Sequence, residues 1–348
     1  MPFSEIIGQE NAIKILQRAL RHQRVPQAYL FAGDDGVGKK LTALTLAKAL
    51  NCKELQDDAC EHCLSCHKIN IASHPDVRLI EPDGQFIKID QIRELQKDAG
   101  LKPFEGRRKV YIIDQADTMR AEAANALLKT LEEPTADCVI ILVTANVYAL
   151  LPTVLSRCQF VRFTALGVEK LAELLQKRLR LMPERARLMA SLAEGCPGRA
   201  LGMDADSLLK QRDDMERLLQ AISGGLQDVR VIFTQVERLT DTKNDKKDAI
   251  HDFLDLLLVW YRDILLLHEG GDPRLVANSD AIPRLKPLAE ALTAAQLRRL
   301  FETVYQAKQD ILRNANLQLA LEVMLISLTE VYNDRNRWRE VSANRQSV

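Results

Sequence analysis

Gly33-Asp34-Asp35-Gly36-Val37-Gly38-Lys39-Lys40 stands between an apolar run, residues 28–32, and a helix-patterned stretch, residues 41–50. It fits G-x-x-x-x-G-K-[ST] at every position but the last. The glycines let backbone N–H groups turn inward around a phosphate chain, Lys39 reaches the outer phosphates, and the following helix points its positive end at them. Gly33, Gly36, Val37, Gly38, Lys39, Lys40 and Leu41 are therefore the candidate residues for binding a nucleotide such as ATP or ADP. A hydroxyl at position 40 would hold Mg²⁺. Lysine stands there instead, which argues against metal-assisted hydrolysis at this site.

The chain has 348 residues, room for about two or three domains. Lys+Arg and Asp+Glu both number 48, so no global basic field draws it to nucleic acid, and any DNA contact is local or shared with partners. Residues 1–5 show no basic region followed by an apolar stretch, so a cytoplasmic location is expected. Residues 138–156 carry no charge and are long enough to cross a bilayer. Thr144, Asn146, Tyr148 and Pro152 within them fit a buried strand, loop and short helix better.

In chain order, residues 11–22 place Ile13, Ile15, Leu16 and Leu20 at helical spacing. Residues 25–31 then run as a strand into the phosphate loop. After the loop's helix come Cys52, Cys60, Cys63 and Cys66, spaced C-x7-C-x2-C-x2-C. Two C-x-x-C steps make thiolates converge, and a sulfur from the preceding helix end completes a tetrahedron for structural Zn²⁺. A disulfide or redox pair is the competing reading, disfavoured in a cytoplasmic chain. His62 and His67 flank the cluster, and either could replace a sulfur. Four thiolates would close the site, leaving no position for catalysis.

Residues 77–80 form a short strand candidate and 89–99 a helix. Lys109-Val110-Tyr111-Ile112-Ile113-Asp114 is a buried strand ending in an acid, the pattern in which the carboxylate holds a nucleotide's Mg²⁺. Gln115 follows, where hydrolytic proteins of this kind place a glutamate. An amide orients water without accepting its proton, and losing such a base costs about 10²–10⁴ in rate. Residues 121–133 read as a helix stopped by Pro134, and 139–144 as another buried strand. Asn146 at its tip either senses a γ-phosphate or caps the next helix. Arg157 stands just ahead of a last strand, 160–163. Alternating apolar strands and helices predict an α/β layer on a parallel sheet with helices on both faces.

The phosphate loop, the four-cysteine insert, Asn125-Ala126-Leu127-Leu128-Lys129-Thr130-Leu131-Glu132-Glu133-Pro134 and Ser156-Arg157-Cys158 occur here in one order. This order resembles that of bacterial clamp-loader subunits, AAA+ proteins of the DNA polymerase III holoenzyme. The resemblance covers nearly the whole chain, is strongest over residues 6–202, and points to the delta-prime branch. The related gamma/tau motor shares the insert and the Ser-Arg-Cys motif, and Lys40 and Gln115 are the departures from it. The resemblance implies a RecA-like AAA+ domain over 1–165, a small helical lid over 166–206 and an all-α collar over 207–348. It also implies that Arg157 is catalytic in trans, as an arginine finger at a neighbouring subunit's ATP. Asp114, Asn146 and Arg199, the last from the lid, would face this chain's own nucleotide. Implied partners are gamma/tau and delta subunits and, through the assembly, the sliding clamp and primer-template DNA.

After residue 163 no β-rich run remains. Residues 168–181 and 184–194 read as helices, and Gly195-Cys196-Pro197-Gly198-Arg199 as a turn opening a third. Residues 208–222, 229–239, 250–268, 291–314 and 317–332 carry Leu/Ile/Val stripes suited to a bundle, broken at Gly224-Gly225, 241–245 and 270–273. Trp260, Tyr261, Phe301 and Tyr305 read as core or interface positions. The tail, 333–348, carries Arg335, Arg337, Arg339 and Arg345, partly offset by Asp334 and Glu340, and is expected to be a frayed helix end. The expected role is a clamp-loader subunit without hydrolysis of its own. The alternatives are an ATP-hydrolysing motor in which Thr42 or water replaces the missing hydroxyl, and an unrelated P-loop kinase or transferase. The absence of any acceptor-substrate domain speaks against the last.

Overall fold

A computed structural model describes residues 1–133, 137–223, 236 and 246–345. The chain divides into two compact units, Met1–Gly167 with Gly195–Arg199, and Val168–Glu194 with the described residues from 200 onward.

The first unit is built on five parallel strands: β1 (Ala28–Ala32), β2 (Val77–Ile80), β3 (Lys109–Ile113), β4 (Cys138–Thr144) and β5 (Gln159–Arg162), in the order β2-β3-β4-β1-β5. Every residue of β1, β3 and β4 is buried, the mark of central strands covered on both faces. Their period of two divides the core. Tyr29, Phe31, Val110, Ile112, Val139 and Ile141 share one cluster with Leu16 of α1 (Glu10–Arg21) and Leu46 of α2 (Lys39–Asn51). Leu30, Tyr111, Ile113, Ile140 and Leu142 face the other way, onto Ile92 and Leu95 of α4 (Ile89–Ala99) and Leu127 of α5 (Ala121–Glu132). Each such side chain contributes about 1.5–3 kcal/mol by leaving water.

Between β4 and β5 the uncharged stretch resolves into β4, a 3₁₀ turn at Val147–Ala149 and α6 (Pro152–Leu155). No described helix is long and apolar enough to cross a membrane. The cysteine insert ends in α3 (Leu64–Asn70). It is tied to α2 by Lys48, whose ammonium is buried and pairs with Glu61, and to the start of the chain by the Phe3 N–H, 2.8 Å from Asp58 Oδ1.

The second unit holds α7 (Val168–Leu179), α8 (Pro183–Leu192), α10 (Ala205–Ser223), α11 (Lys246–His268), α12 (Ile282–Ala291), α13 (Ala294–Leu312) and α14 (Leu317–Arg345). A further helix, α9 (Pro197–Gly202), begins in the 195–199 segment of the first unit. Inside the bundle Trp260 and Tyr261 are buried, Phe301 is half-buried and Tyr305 is exposed. Asp263, fully buried, accepts the backbone and side-chain N–H groups of Asn278 at 2.9 and 2.8 Å. Arg212 holds Asp280 with two bonds, 3.0 and 2.7 Å.

The helix expected over 291–314 starts instead at Ala294, because Thr293 caps it in a reciprocal box with Gln296. Before it lies α12, which the sequence pattern did not suggest: Pro283 suits the first turn, and burial of Leu285 and Ala289 outweighs the bond lost at Pro287. The backbone stays helical through Arg345, well past the expected end at 332. Pro134, Gly224-Gly225, 241–245 and the expected helix over 229–239, apart from Val236, lie outside the described residues.

One buried acid sets the approach to β3. Asp76, 3% exposed, accepts N–H bonds from Phe104, Glu105 and Gly106 at 2.7, 2.9 and 2.7 Å. Burial alone would raise its pKa, but the three donors outweigh it and hold the carboxyl below its ordinary value. A depressed carboxylate stabilises the fold above its unfolded pKa, about 3.9, and loses that contribution as pH falls through the folded value. Asp76→Asn should therefore cost about 1.5–3 kcal/mol at pH 7. Denaturant melts should show the gap to wild type closing below pH ~4.

Candidate functional site

The site lies where β1 ends. Gly33, Gly36 and Gly38 have φ of +154°, +81° and +98°. At Gly33 a Cβ would fall 2.4 Å from Phe163 O, and at Gly36 it would fall 2.9 Å from Arg199 N. Glycine is therefore required by close approach as well as by dihedral. The loop is braced by Gly198 N–H, which donates to Gly36 O at 2.7 Å. Buried Gln9 adds a second brace, its Nε2 donating to Val37 O at 3.1 Å and Thr164 O at 2.8 Å. Val37 is buried in the core beneath the loop, and Leu41 is exposed on the first turn of α2.

The two lysines have separate tasks. Lys39, at the start of α2 and buried, turns its ammonium into the loop, 2.5 Å from Gly33 O and 2.7 Å from Asp34 O. Lys40 Nζ lies 2.5 Å from Glu81 Oε1 and 3.2 Å from Asp114 Oδ2. Burial pulls the Lys40 pKa down, but the two carboxylates outweigh it and the net shift is upward. Thr42 is fully buried and its hydroxyl donates to Gly38 O at 2.8 Å, so it is not free to stand in for the hydroxyl absent at position 40.

Gln115, beside Asp114, adopts a left-handed conformation at the mouth of the strand, φ +51°. Asn146 caps the turn after β4, its Oδ1 accepting Tyr148 N–H at 3.1 Å. It also lines a 500 Å³ cavity with Gly33, Asp34, Arg162 and Thr164. The backbone of Arg199 lies against Gly36. Arg157 stands apart from this group, just after α6, with Nη2 2.8 Å from Glu132 Oε1 and Nη1 donating to Thr153 O at 2.9 Å.

The sulfurs of Cys52, Cys60, Cys63 and Cys66 lie within 4.8 Å of one another, and those of Cys60 and Cys66 are 3.9 Å apart. Sulfurs around tetrahedral zinc stand about 3.8 Å apart, so the set fits. N–H groups of Leu55, Cys63 and Cys66 point at Cys52, Cys60 and Cys63 sulfurs at 3.3, 3.3 and 3.5 Å. Burial raises the Cys63 pKa, but N–H groups of Cys66 and Lys53 overcome it and bring it to about 6. His62 turns outward instead, its Nε2 2.5 Å from Glu54 Oε2. With Glu54 and Cys60 it forms a second, more exposed group of potential ligands, and His67 belongs to neither group among the described residues.

Gln9, Glu81 and Arg162 belong to this site although no motif marks them. Glu81 was within reach of pattern: it follows β2 as Asp114 follows β3.

Gly36→Ala should press a methyl group into Arg199 N and strain φ. Hydrogen exchange at the Gly198 amide should then accelerate by about tenfold or more, while the β4 amides keep their protection.

Family profiles described as "DNA polymerase III, delta subunit" and "DNA polymerase III, delta subunit, C terminal" match residues 8–167 and 207–330. The DNA polymerase III subunit delta' of Bacillus subtilis is 32% identical over 322 residues, 92% of this chain and 96% of that one. The subunit tau of the same organism is 27% identical over 94% of this chain, which spans 61% of the tau chain's length. Among solved structures, a DNA polymerase III gamma subunit-related protein of Thermotoga maritima is 19% identical, covering 92% of this chain and 99% of that one, with a TM-score of 0.40. The chain belongs to the DNA polymerase III delta-prime subunit family.

Proposed function

We propose that this chain is the non-motor, delta-prime-type subunit of a clamp loader, which helps an ATP-driven assembly place a sliding clamp on primer-template DNA. It completes a neighbouring gamma/tau subunit's ATP site with Arg157 and works beside a delta subunit in the replisome. The observation that carries this reading is Lys40. Its ammonium lies on Asp114, where a hydrolytic site needs a hydroxyl and a metal, and Gln115 supplies no base beside it. Arg157, in contrast, is held on the surface by a half-exposed Glu132. Gly33, Gly36, Val37, Gly38, Lys39, Lys40 and Leu41 form the retained phosphate cradle, with Asn146 and Arg199 at its margin.

On this reading residues 1–165 form the AAA+ domain, 166–206 a lid and 207–348 the collar. Leu319, Val323 and Ile326 are exposed at i, i+4 and i+7 on α14, and this stripe suits docking against the helical collars of partner subunits. Cys52, Cys60, Cys63 and Cys66 would hold a structural Zn²⁺, which fixes the insert without taking part in chemistry.

Three measurements test these assignments. In a loader reconstituted from motor, delta and this chain, Arg157→Ala should lower clamp-stimulated ATPase by about 10-fold or more, leaving the size of the complex unchanged. Unchanged turnover and clamp loading would remove the role in trans. Elemental analysis of the purified chain should find one zinc, absent after Cys63→Ser, and no zinc would reassign the cluster. Val323→Glu should weaken assembly on a sizing column by about tenfold.

A further inference from the structure

In the parallel register of β2 and β3, Ile80 lies beside Ile113. The following residues, Glu81 and Asp114, therefore leave the sheet side by side, and Asp114 N–H still donates to Ile80 O at 2.9 Å. Two carboxylates at adjacent strand tips, next to a phosphate loop, make an oxygen-rich setting for a hard divalent cation. Here the space between them is taken. Lys40 Nζ, 2.5 Å from Glu81 Oε1 and 3.2 Å from Asp114 Oδ2, neutralises one of the two charges. Asp114 is 14% exposed and carries the Lys40 ammonium on Oδ2. Mg²⁺ needs near-octahedral oxygens at about 2.0–2.1 Å, and an ammonium seated on Glu81 Oε1 and Asp114 Oδ2 competes with it for them. The residues present do not fit the metal that the phosphate-loop pattern implies.

We infer that Lys40 is a tethered substitute for the divalent cation. Glu81 and Asp114 are closed to metal, and a di- or triphosphate in the cradle is held by loop amides and lysine ammoniums alone. The inference rests on the reading of the cradle as retained without its chemistry, and it makes a single residue decide metal specificity. Replacing Lys40 by threonine removes the counter-charge, leaves two unneutralised carboxylates side by side, and restores the hydroxyl of the motif. A metal site should then appear.

The test uses the full zinc-replete chain with Mn²⁺ as probe, free Mn²⁺ being read by its paramagnetic resonance signal. Wild type should take up Mn²⁺ no more tightly than about 1 mM. Lys40→Thr should bind about tenfold tighter or more, Lys40→Ala less tightly than Lys40→Thr, and Lys40→Thr with Asp114→Asn should return to the wild-type curve. Calorimetry with ADP should give wild type the same affinity, within about twofold, with and without Mg²⁺, and give Lys40→Thr a Mg²⁺-dependent gain of about fivefold or more. Wild type matching Lys40→Thr in Mn²⁺ uptake, or gaining about tenfold in ADP affinity from Mg²⁺, would overturn the inference. No ADP heat in either buffer would overturn its phosphate half. Circular dichroism and zinc content confirm that each variant is folded. ATP turnover, measured on the same samples, separates the two levels: wild-type turnover by the isolated chain sinks the non-motor reading, whereas Mn²⁺ uptake without turnover sinks only the lysine substitution.

Discussion

β1 is hydrogen-bonded along both edges, to β4 and to β5, and its side chains are buried on both faces. A strand so enclosed leaves its chain one exit, past Phe163 at the strand's end, and only a residue without a Cβ can take it. The rest of the site follows from that exit. Gly36 carries the turn under the 195–199 segment, Gly38 caps the start of α2 in a left-handed conformation, and Gln9 fixes the far side of the loop through Val37 and Thr164. The cradle is thus braced by the sheet's packing and by bonds within the chain.

The two lysines of the site differ in their electrostatics. Two adjacent lysines at the start of one helix would repel each other in an empty loop, and they are kept apart by different acceptors. Lys39 spends its charge on backbone carbonyls of the loop, dipoles that a phosphate could replace one for one, and more loosely on the exposed Asp35 carboxylate at 3.4 Å. Lys40 spends its charge on two carboxylates that belong to the sheet. The first arrangement is easily exchanged for a ligand. The second is a partly exposed ion cluster within the chain, and moving Lys40 away would leave Asp114 and Glu81 repelling each other.

The parallel sheet was legible because β1, β3 and β4 read as continuous apolar runs, and a run buried on both faces has no other common explanation. The four cysteines were legible for a related reason: C-x-x-C steps carry their geometry within a few residues. What the sequence did not disclose depends on distant pairing. Gln9 reaches residues 28 and 155 positions away, and Glu81 acquires meaning only from the register of β2 against β3. α12 escaped because two prolines in ten residues weigh against a helix by local propensity, while the burial that overrides them is tertiary. Thr42 was a reasonable stand-in hydroxyl by position alone. Its bond back to Gly38 O follows from the helical geometry of the P-loop segment, in which a threonine hydroxyl satisfies the carbonyl four residues earlier.

Arg157 poses the last question, whether a residue already paired within its own chain can serve another subunit. Its partner Glu132 is half-exposed, and such pairs contribute about 0–1 kcal/mol. An arginine finger in trans contributes about 10³–10⁵ in rate, equivalent to about 4–7 kcal/mol of transition-state stabilisation. Releasing Arg157 from Glu132 therefore costs a small part of what the guanidinium would return at a γ-phosphate. Its Nη1 also donates to Thr153 O, at the start of α6, a second exposed bond that transfer would have to break, worth about 0.5–1.5 kcal/mol. On the proposed reading this ion pair is a resting position, which holds the charge at the surface at little energetic cost to its transfer.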